Sequence, residues 1–381
     1  MTYLQRVADI ADVIRTDAPE ADRNRRLGDA TVAAVCDSGV TRMMVPPALG
    51  GGGISWADSF EVVEAIARLD GATGWNASIW AGTATLCVTL AGDDARDEVL
   101  GDPSALCSAS LNWMNIQARR VDGGYRFDGK ATFLSGSSHA QWLSLGGWLI
   151  GEDGKPVFGA AGPEVIRGVL PMSSIPIEDT WHVAGLRATA SNDAVLDGVF
   201  IPDAFISDPH RAGDLVPDGA THIPIQSRFG APFAFVGLGI ARGAIDALRD
   251  VAGERVALAT SSPMRERVDV QIDVARAQAL VEAGEAFLVR TWERSTTTPE
   301  RLTVEDLAML RLSYVTAADN AAQATELVRR CAGSSAVYES ERIERCWRDA
   351  HVVPAHVMVS PRGYERVGRV LLGLEPLPGL L

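Results

Sequence analysis

His351 and His356 stand five residues apart in the stretch Arg348-Asp349-Ala350-His351-Val352-Val353-Pro354-Ala355-His356, and they are two of only six histidines in 381 residues. Imidazole is the side chain whose ordinary pKa lies nearest neutrality, so the pair is a candidate for proton transfer. Shared metal ligation fits less well. A spacing of five suits one helix face less than three or four, and Pro354 between the two marks a bend or a helix start. The competing reading is structural, with each imidazole acting as a hydrogen-bonding group. Two other polar clusters stand upstream. Ser135-Gly136-Ser137-Ser138 reads on its own as a polar turn. Arg187, Thr189 and Ser191 in GLRATAS combine a fixed cation with two hydroxyls. That combination suits a phosphate-bearing ligand and equally suits a self-bonded β-turn.

Composition bounds what these residues serve. The chain is 47% hydrophobic and 22% charged, which is ordinary for a globular protein of two or three domains. Thirty-five basic against 49 acidic residues leave a net charge of -14, which argues against nucleic acid or an anionic membrane surface as the main partner. Cys36, Cys87, Cys107, Cys331 and Cys346 are scattered, with no CxxC and no His/Cys cluster at metal-ligand spacing, and imply reduced thiols in a cytoplasmic setting. The N-terminal segment lacks the apolar core of a signal peptide, and no run of about 18 apolar residues predicts a membrane span.

Patterning divides the chain into three. Residues 1–113 carry helical apolar spacing, broken by prolines and four glycines at VPPALGGGG (45–53). Residues 114–225 change character. ARRVDGGYRFDGKATFLSG alternates around Asp122-Gly123-Gly124, a hairpin signal, and QWLSLGGWLI, GVLPM, WHVAGL and AVLDGVFIP also read as strands. From 226 to 381 the helical period returns, after the Pro/Gly-rich THIPIQSRFGAPFAF, in long segments suited to an antiparallel bundle. Helices, then strands, then helices is an α+β order.

That order resembles the acyl-CoA dehydrogenase fold: an N-terminal helical domain, a middle β-barrel or sandwich, and a C-terminal antiparallel four-helix bundle. MMVPPALGGGGISWADSFEVVEAIARLDGATGW resembles the family's N-terminal helical region, GLRATASNDAVLDGVFIP the edge of its β domain, and CAGSSAVYESERIERCWRDAHVVPAH its C-terminal segment with the Arg-Asp pair. Two departures select a subfamily. The dehydrogenase base is a carboxylate after that pair, yet no Glu or Asp lies between Asp349 and Glu365. The Arg-x-Phe-Gly stretch that helps hold FAD is replaced by SSPMRERVDVQ. Both fit the two-component flavin monooxygenases of this fold, and GGYRFDGKATFLSGSSHAQW, DTWHVAGLRATAS and WRDAHVVPAH resemble that group, nearest to its phenol and polyketide hydroxylases.

The resemblance implies reduced flavin (FMNH2 or FADH2) delivered by a separate NAD(P)H:flavin reductase, O2 as cosubstrate, a C4a-hydroperoxide, and oxygen transfer to an aromatic or polyketide-like small molecule. It implies a homotetramer associating through the C-terminal bundle. It places Ser135 at flavin N5; Asn112 and Trp113 beside the isoalloxazine; Arg187, Thr189 and Ser191 at the phosphate or ribityl chain. His356 is expected to take a phenolic proton or to orient a neutral substrate, with His351 as its hydrogen-bonding support. Several aromatic hydroxylases of the group carry a further histidine where this chain has Trp80 and Thr83, an apolar wall with a small polar handle for the substrate. Arg348 and Asp349 are expected to pair with each other, and His139, His182, His210 and His222 to be surface or turn residues. Three alternatives stay open: N-oxygenation of an amine or amino sugar by the same flavin chemistry, an acyl-CoA dehydrogenase with a displaced base such as Glu64, and a flavin-free helical scaffold without activity, against which the Ser135 and Arg187 contexts argue.

Overall fold

The computed structural model describes residues 1–159, 162–208, 222–254, 262–297 and 302–376. Its first part is helical: α1 (Tyr3–Asp9), α2 (Ala11–Asn24), α3 (Asp29–Asp37), α4 (Trp56–Leu69), α5 (Gly71–Cys87) and α6 (Asp93–Gly101). The Ser55 hydroxyl caps α4 by accepting from Asp58 N–H, and the Asp70 carboxylate caps α5 by accepting from Thr73 N–H. Apart from Leu86, every residue of α5 is buried. A helix apolar or small on all sides is a core helix, and α5 touches α4 and later elements of the sheet and the bundle.

The middle part is one seven-stranded mixed sheet. Its strands are β1 (Cys107–Ala109), β2 (Ile116–Val121), β3 (Gly124–Leu134), β4 (Trp142–Ile150), β7 (Val165–Pro171), β8 (Ile177–Glu178) and β9 (Asn192–Pro202), with a small antiparallel pair, β5 (Phe158–Gly159) and β6 (Gly162–Pro163), apart from it. The order is β1-β4-β2-β3-β9-β8, and β7 adds to β4. β1 and β2 run parallel to β4, while the remaining pairs are antiparallel. The expected hairpin is present: Val121 pairs with Gly124 across Asp122-Gly123, and Gly123 takes φ +74°. At the far end of β3 the register with β9 shifts between Ala131 and Leu134, and Phe133 adopts φ +60°. This irregularity ends the strand and turns Ser135 inward. WHVAGL, expected as a strand, is irregular chain over 181–186, because its backbone groups are taken by side chains rather than by a neighbouring strand.

The last part comprises α7 (Ile225–Ala252), α8 (Val268–Thr297), α9 (Val304–Ala332), α10 (Arg342–Val352) and α11 (Arg362–Leu371), with α7 to α10 packed as a bundle. α7 begins at Ile225, earlier than the Pro/Gly-rich sequence suggests, and carries Pro232 inside it. An interior proline costs about 3 kcal/mol, whereas burying a phenylalanine returns roughly 1.5–3 kcal/mol. Phe229, Phe233 and Phe235 are all buried there, so packing overrides propensity. Phe60 stacks on Phe235 at 4.9 Å and meets Trp292 edge-on at 4.8 Å, fixing α4 against the bundle. α7 is long and apolar enough to cross a membrane, yet 89% of its apolar window is buried inside the fold.

Candidate active site

Trp75, on the first half of α5, is where the three parts meet. Its ring stacks on Phe233 of α7 with centroids 4.3 Å apart and planes within 6°. Its Nε1–H donates to Ser135 Oγ at 3.1 Å. His356 meets the ring edge-on at 5.6 Å and meets Phe233 at 4.6 Å, so the three rings form one cluster. One indole therefore holds Ser135 and His356 in a common seam.

Ser135 is the start of a hydroxyl chain. Its Oγ lies 2.8 Å from Ser191 Oγ, which lies 2.8 Å from Thr189 Oγ1, whose proton goes to the Leu186 carbonyl at 2.8 Å. Each hydroxyl has one proton to give. With the Thr189 proton on Leu186, Ser191 donates to Thr189 and Ser135 donates to Ser191. Ser135 thus accepts from Trp75 and retains one lone pair. Backbone bonds knit the two turns together, Gly136 N–H donating to the Thr189 carbonyl at 2.8 Å and Ser137 Oγ to the Ala190 carbonyl at 3.1 Å.

The turn carrying Thr189 is held under strain. Leu186 and Ala190 both take left-handed φ, +50° and +46°, a conformation costing a residue with a side chain about 1–3 kcal/mol. Asp349 of α10 supports it by accepting from Leu186 N–H at 2.6 Å, while Trp181 Nε1 donates to the Leu186 carbonyl at 3.0 Å. Burial pushes the Asp349 carboxyl up to about 7, with repulsion from Asp70 and Asp22 adding to it and the Leu186 bond and Arg345 opposing it. The expected Arg348–Asp349 pair is not formed. Arg348 reaches Asp22 at 2.9 Å and Glu344 at 2.7 Å, because Asp349 points into the fold toward Leu186.

His356 is wedged between aromatic rings, and burial lowers its pKa to about 4. Met358 N–H donates to its Nδ1 at 3.3 Å. An acceptor Nδ1 bears no proton, so neutral His356 carries its proton on Nε2 and presents a donor. This removes the general-base option expected for it and leaves the orienting one.

One face of α5 carries further polar atoms. Asn76, Trp80 and Thr83, at i, i+4 and i+7, are buried, and Asn76 Oδ1, Trp80 Nε1 and Thr83 Oγ1 have no hydrogen-bond partner among the described residues. Buried polar atoms are rarely left unpaired. Trp80 packs against Gly136, and Asn76 Nδ2 lies 3.5 Å from the Ala188 carbonyl, so this face adjoins the two serine-bearing turns. An aromatic wall, a hydroxyl with a spare lone pair and unpaired polar donors and acceptors are what a flavin ring requires, and the residues fit it.

Other sequence candidates lie elsewhere. His351 is exposed on α10, donates Nδ1–H to the Trp347 carbonyl at 2.8 Å, and lines a cavity of about 510 Å³ with Asp319, Gln323, Glu326 and Pro354. That cavity includes neither Ser135 nor His356, so His351 does not support His356. Arg187 donates to the carbonyls of Asp22 at 3.0 Å and Val183 at 3.3 Å, turned away from the serines. Asn112 donates to Thr132 Oγ1 at 3.0 Å, and Trp113 sits under the Arg167 guanidinium at 5.2 Å. Glu64 is bound by Arg242 at 2.5 Å, which closes it to the role of displaced base. His139 occupies a turn as expected but is not a surface residue: its side chain is 6% exposed, and burial lowers its pKa to about 4. His182 and His222 are exposed, and His210 lies outside the described residues. Trp75, Phe233 and the Asp349–Leu186 bond were not singled out from sequence. The only available signal was a tryptophan in a Gly-rich helix start, which matches a packing residue equally well.

The comparisons identify the family. Residues 4–101 match the family described as Acyl-CoA dehydrogenase, N-terminal domain, and residues 231–361 match Acyl-CoA dehydrogenase, C-terminal domain. The chain is 30% identical over 389 residues to the flavin-dependent monooxygenase, oxygenase subunit HsaA, of Mycobacterium tuberculosis, covering 98% of this chain and 96% of that protein. It is 29% identical over 392 residues to the FADH(2)-dependent resorcinol hydroxylase, oxygenase component, of Rhizobium sp., covering 97% and 94%. The crystal structure of 3-HSA hydroxylase from Rhodococcus sp. RHA1 superposes with a TM-score of 0.89 at 25% identity, covering 100% of this chain and 99% of that one. The chain therefore belongs to the two-component flavin-dependent monooxygenases built on the acyl-CoA dehydrogenase fold, as an oxygenase component that uses reduced flavin and O2 with a small-molecule substrate and a separate flavin reductase.

Proposed function

We propose that this chain hydroxylates an aromatic or polycyclic small molecule at the seam centred on Trp75. The observation that carries the reading is the placement of Ser135 and His356 by one indole, 3.1 Å from Ser135 Oγ and 5.6 Å, centroid to centroid, from the His356 ring. Reduced flavin bound there supplies the electrons that activate O2. Ser135 holds the N5 edge of the ring through its spare lone pair, with Ser191 and Thr189 orienting it. Trp75, Phe233 and Trp80 supply flat apolar walls and keep water away from the reacting atoms. His356 donates Nε2–H to an oxygen of the substrate and so sets its orientation.

The relatives support an aromatic substrate, since one is named for resorcinol. Amine oxygenation loses its expected base, because a histidine with a pKa of about 4 does not take a proton from an ammonium. A homotetramer joined through the C-terminal bundle and a cytoplasmic setting belong to the same proposal, the latter supported by five free cysteines.

The test is turnover with an NAD(P)H:flavin reductase and a panel of phenols, polycyclic aromatics and amines. Hydroxylated aromatic product is the expected result. N-oxidised product, or none with every aromatic, overturns the reading.

A further inference from the structure

The geometry points to the Ser135–Ser191–Thr189 hydroxyl chain as a device that makes the site select reduced over oxidised flavin. The inference rests on the assignment of Ser135 to the N5 edge and goes beyond it, to what fixes the direction of that hydrogen bond.

The argument is a count of protons. As the chain stands, Trp75 Nε1–H donates to Ser135, Ser135 to Ser191, Ser191 to Thr189, and Thr189 to the Leu186 carbonyl: four hydrogen bonds at 3.1, 2.8, 2.8 and 2.8 Å. Thr189 and Ser191 are 1% and 3% exposed, so water does not stand in for a missing partner there, and flavin bound over Ser135 excludes it from that end. Reversing the chain keeps only the Trp75 bond and the two hydroxyl–hydroxyl bonds and leaves the Ser135 proton unpaired. The Leu186 carbonyl keeps its bond from Trp181 Nε1 at 3.0 Å in either case, so the preferred direction is set by the Thr189 proton that it accepts.

The two oxidation states of flavin differ at this atom. Reduced N5 bears a hydrogen and donates; oxidised N5 is bare and accepts. A Ser135 whose proton is already given to Ser191 accepts from reduced N5–H and brings the count to five. Oxidised N5 is met only by reversing the chain, which gives up the Thr189–Leu186 bond and returns the count to four. Ser191 and Thr189 are positioning residues acting through Ser135. One hydrogen bond in a dry site corresponds to about a tenfold preference.

The experiment is anaerobic titration of the full chain with reduced and oxidised FAD and FMN, giving a Kd for each state, for the wild type, Ser191→Ala, Ser191→Thr and Thr189→Val. In Ser191→Ala the Ser135 proton is released and free to meet oxidised N5. The expected result is that the ratio of oxidised to reduced Kd falls by about five- to tenfold, through tighter binding of the oxidised form. Thr189→Val, which frees the Ser191 proton to turn toward Ser135, lowers the ratio in the same direction, and Ser191→Thr keeps it. Saturable binding of reduced flavin with an unchanged ratio in both Ser191→Ala and Thr189→Val overturns the inference while leaving the site assignment standing. Absence of saturable reduced-flavin binding by the wild type overturns both.

Discussion

The carboxylate of Asp349, on α10, accepts a 2.6 Å hydrogen bond from the backbone N–H of Leu186, the left-handed residue that opens the turn bearing Thr189 and Ser191. The C-terminal bundle thus sets the conformation of a β-domain turn. Asp349→Asn keeps an acceptor at this position, whereas Asp349→Ala leaves a buried N–H unpaired. Denaturant unfolding at pH 8 should show Asp349→Ala less stable than Asp349→Asn by about 1–3 kcal/mol; equal stabilities would show that the bond does not hold the turn.

The same carboxyl gives a pH prediction. Its folded pKa of about 7 lies above the ordinary 3.8, so the folded chain holds the extra proton between those values. Its contribution to stability is complete below about 3.8 and is lost as pH rises through 7. His139 and His356 act in the opposite sense, since their pKa of about 4 lies below the ordinary 6.5, and their contribution is complete above 6.5 and lost as pH falls toward 4. Relative to wild type, Asp349→Asn should therefore gain more stability at pH 8 than at pH 5. Parallel stability curves for the two proteins would refute this.

Ser135→Ala removes the acceptor for Trp75 Nε1–H and, with it, the proposed N5 contact. Coupling should suffer more than flavin consumption: product formed per NAD(P)H oxidised falls by about tenfold and hydrogen peroxide makes up the difference. Trp75→Phe keeps the stack on Phe233 but loses the donor, and the same peroxide assay should place it between wild type and Ser135→Ala. Fully coupled turnover in both variants would detach the Trp75–Ser135 bond from the chemistry.

Much of the architecture was legible in the residues. The Asp122-Gly123 hairpin, the alternation of QWLSLGGWLI and the long apolar helical faces predict the observed elements because each is a local pattern. The departures are places where distant packing decides. Pro232 lies within α7 because three phenylalanines around it are buried, and 181–186 is irregular because Asn192 Oδ1 accepts from Trp181 N–H and Asp349 accepts from Leu186 N–H. The site followed the same division. Ser135, Thr189 and Ser191 stand out by residue type and share one hydrogen-bonded chain. Trp75 and Phe233 do not stand out, since nothing local distinguishes a tryptophan that bridges two functional groups from one that fills a core. His351 and Arg187 were singled out by type and sequence context, and helix phase and nearby carbonyls take both away from the seam.

His356 presents a donor, with Nδ1 held by Met358 N–H, so its ionisation should not shape catalysis in the neutral range. The rate of product formation should show no rising limb near pH 6.5 that belongs to the His356 imidazole. A rising limb with a midpoint near 6.5 that disappears in His356→Gln would restore the general-base role.

The most direct test of the whole account is a single turnover. The chain is loaded anaerobically with reduced flavin and an aromatic substrate, then mixed with ¹⁸O-labelled O2, and the product is analysed by mass spectrometry. The account predicts one labelled oxygen atom in a hydroxylated product from wild type, with Ser135→Ala and His356→Ala returning mostly unmodified substrate. Retention of oxidised FAD by the purified chain, its reduction by an acyl-CoA thioester, and no label in any product would contradict it.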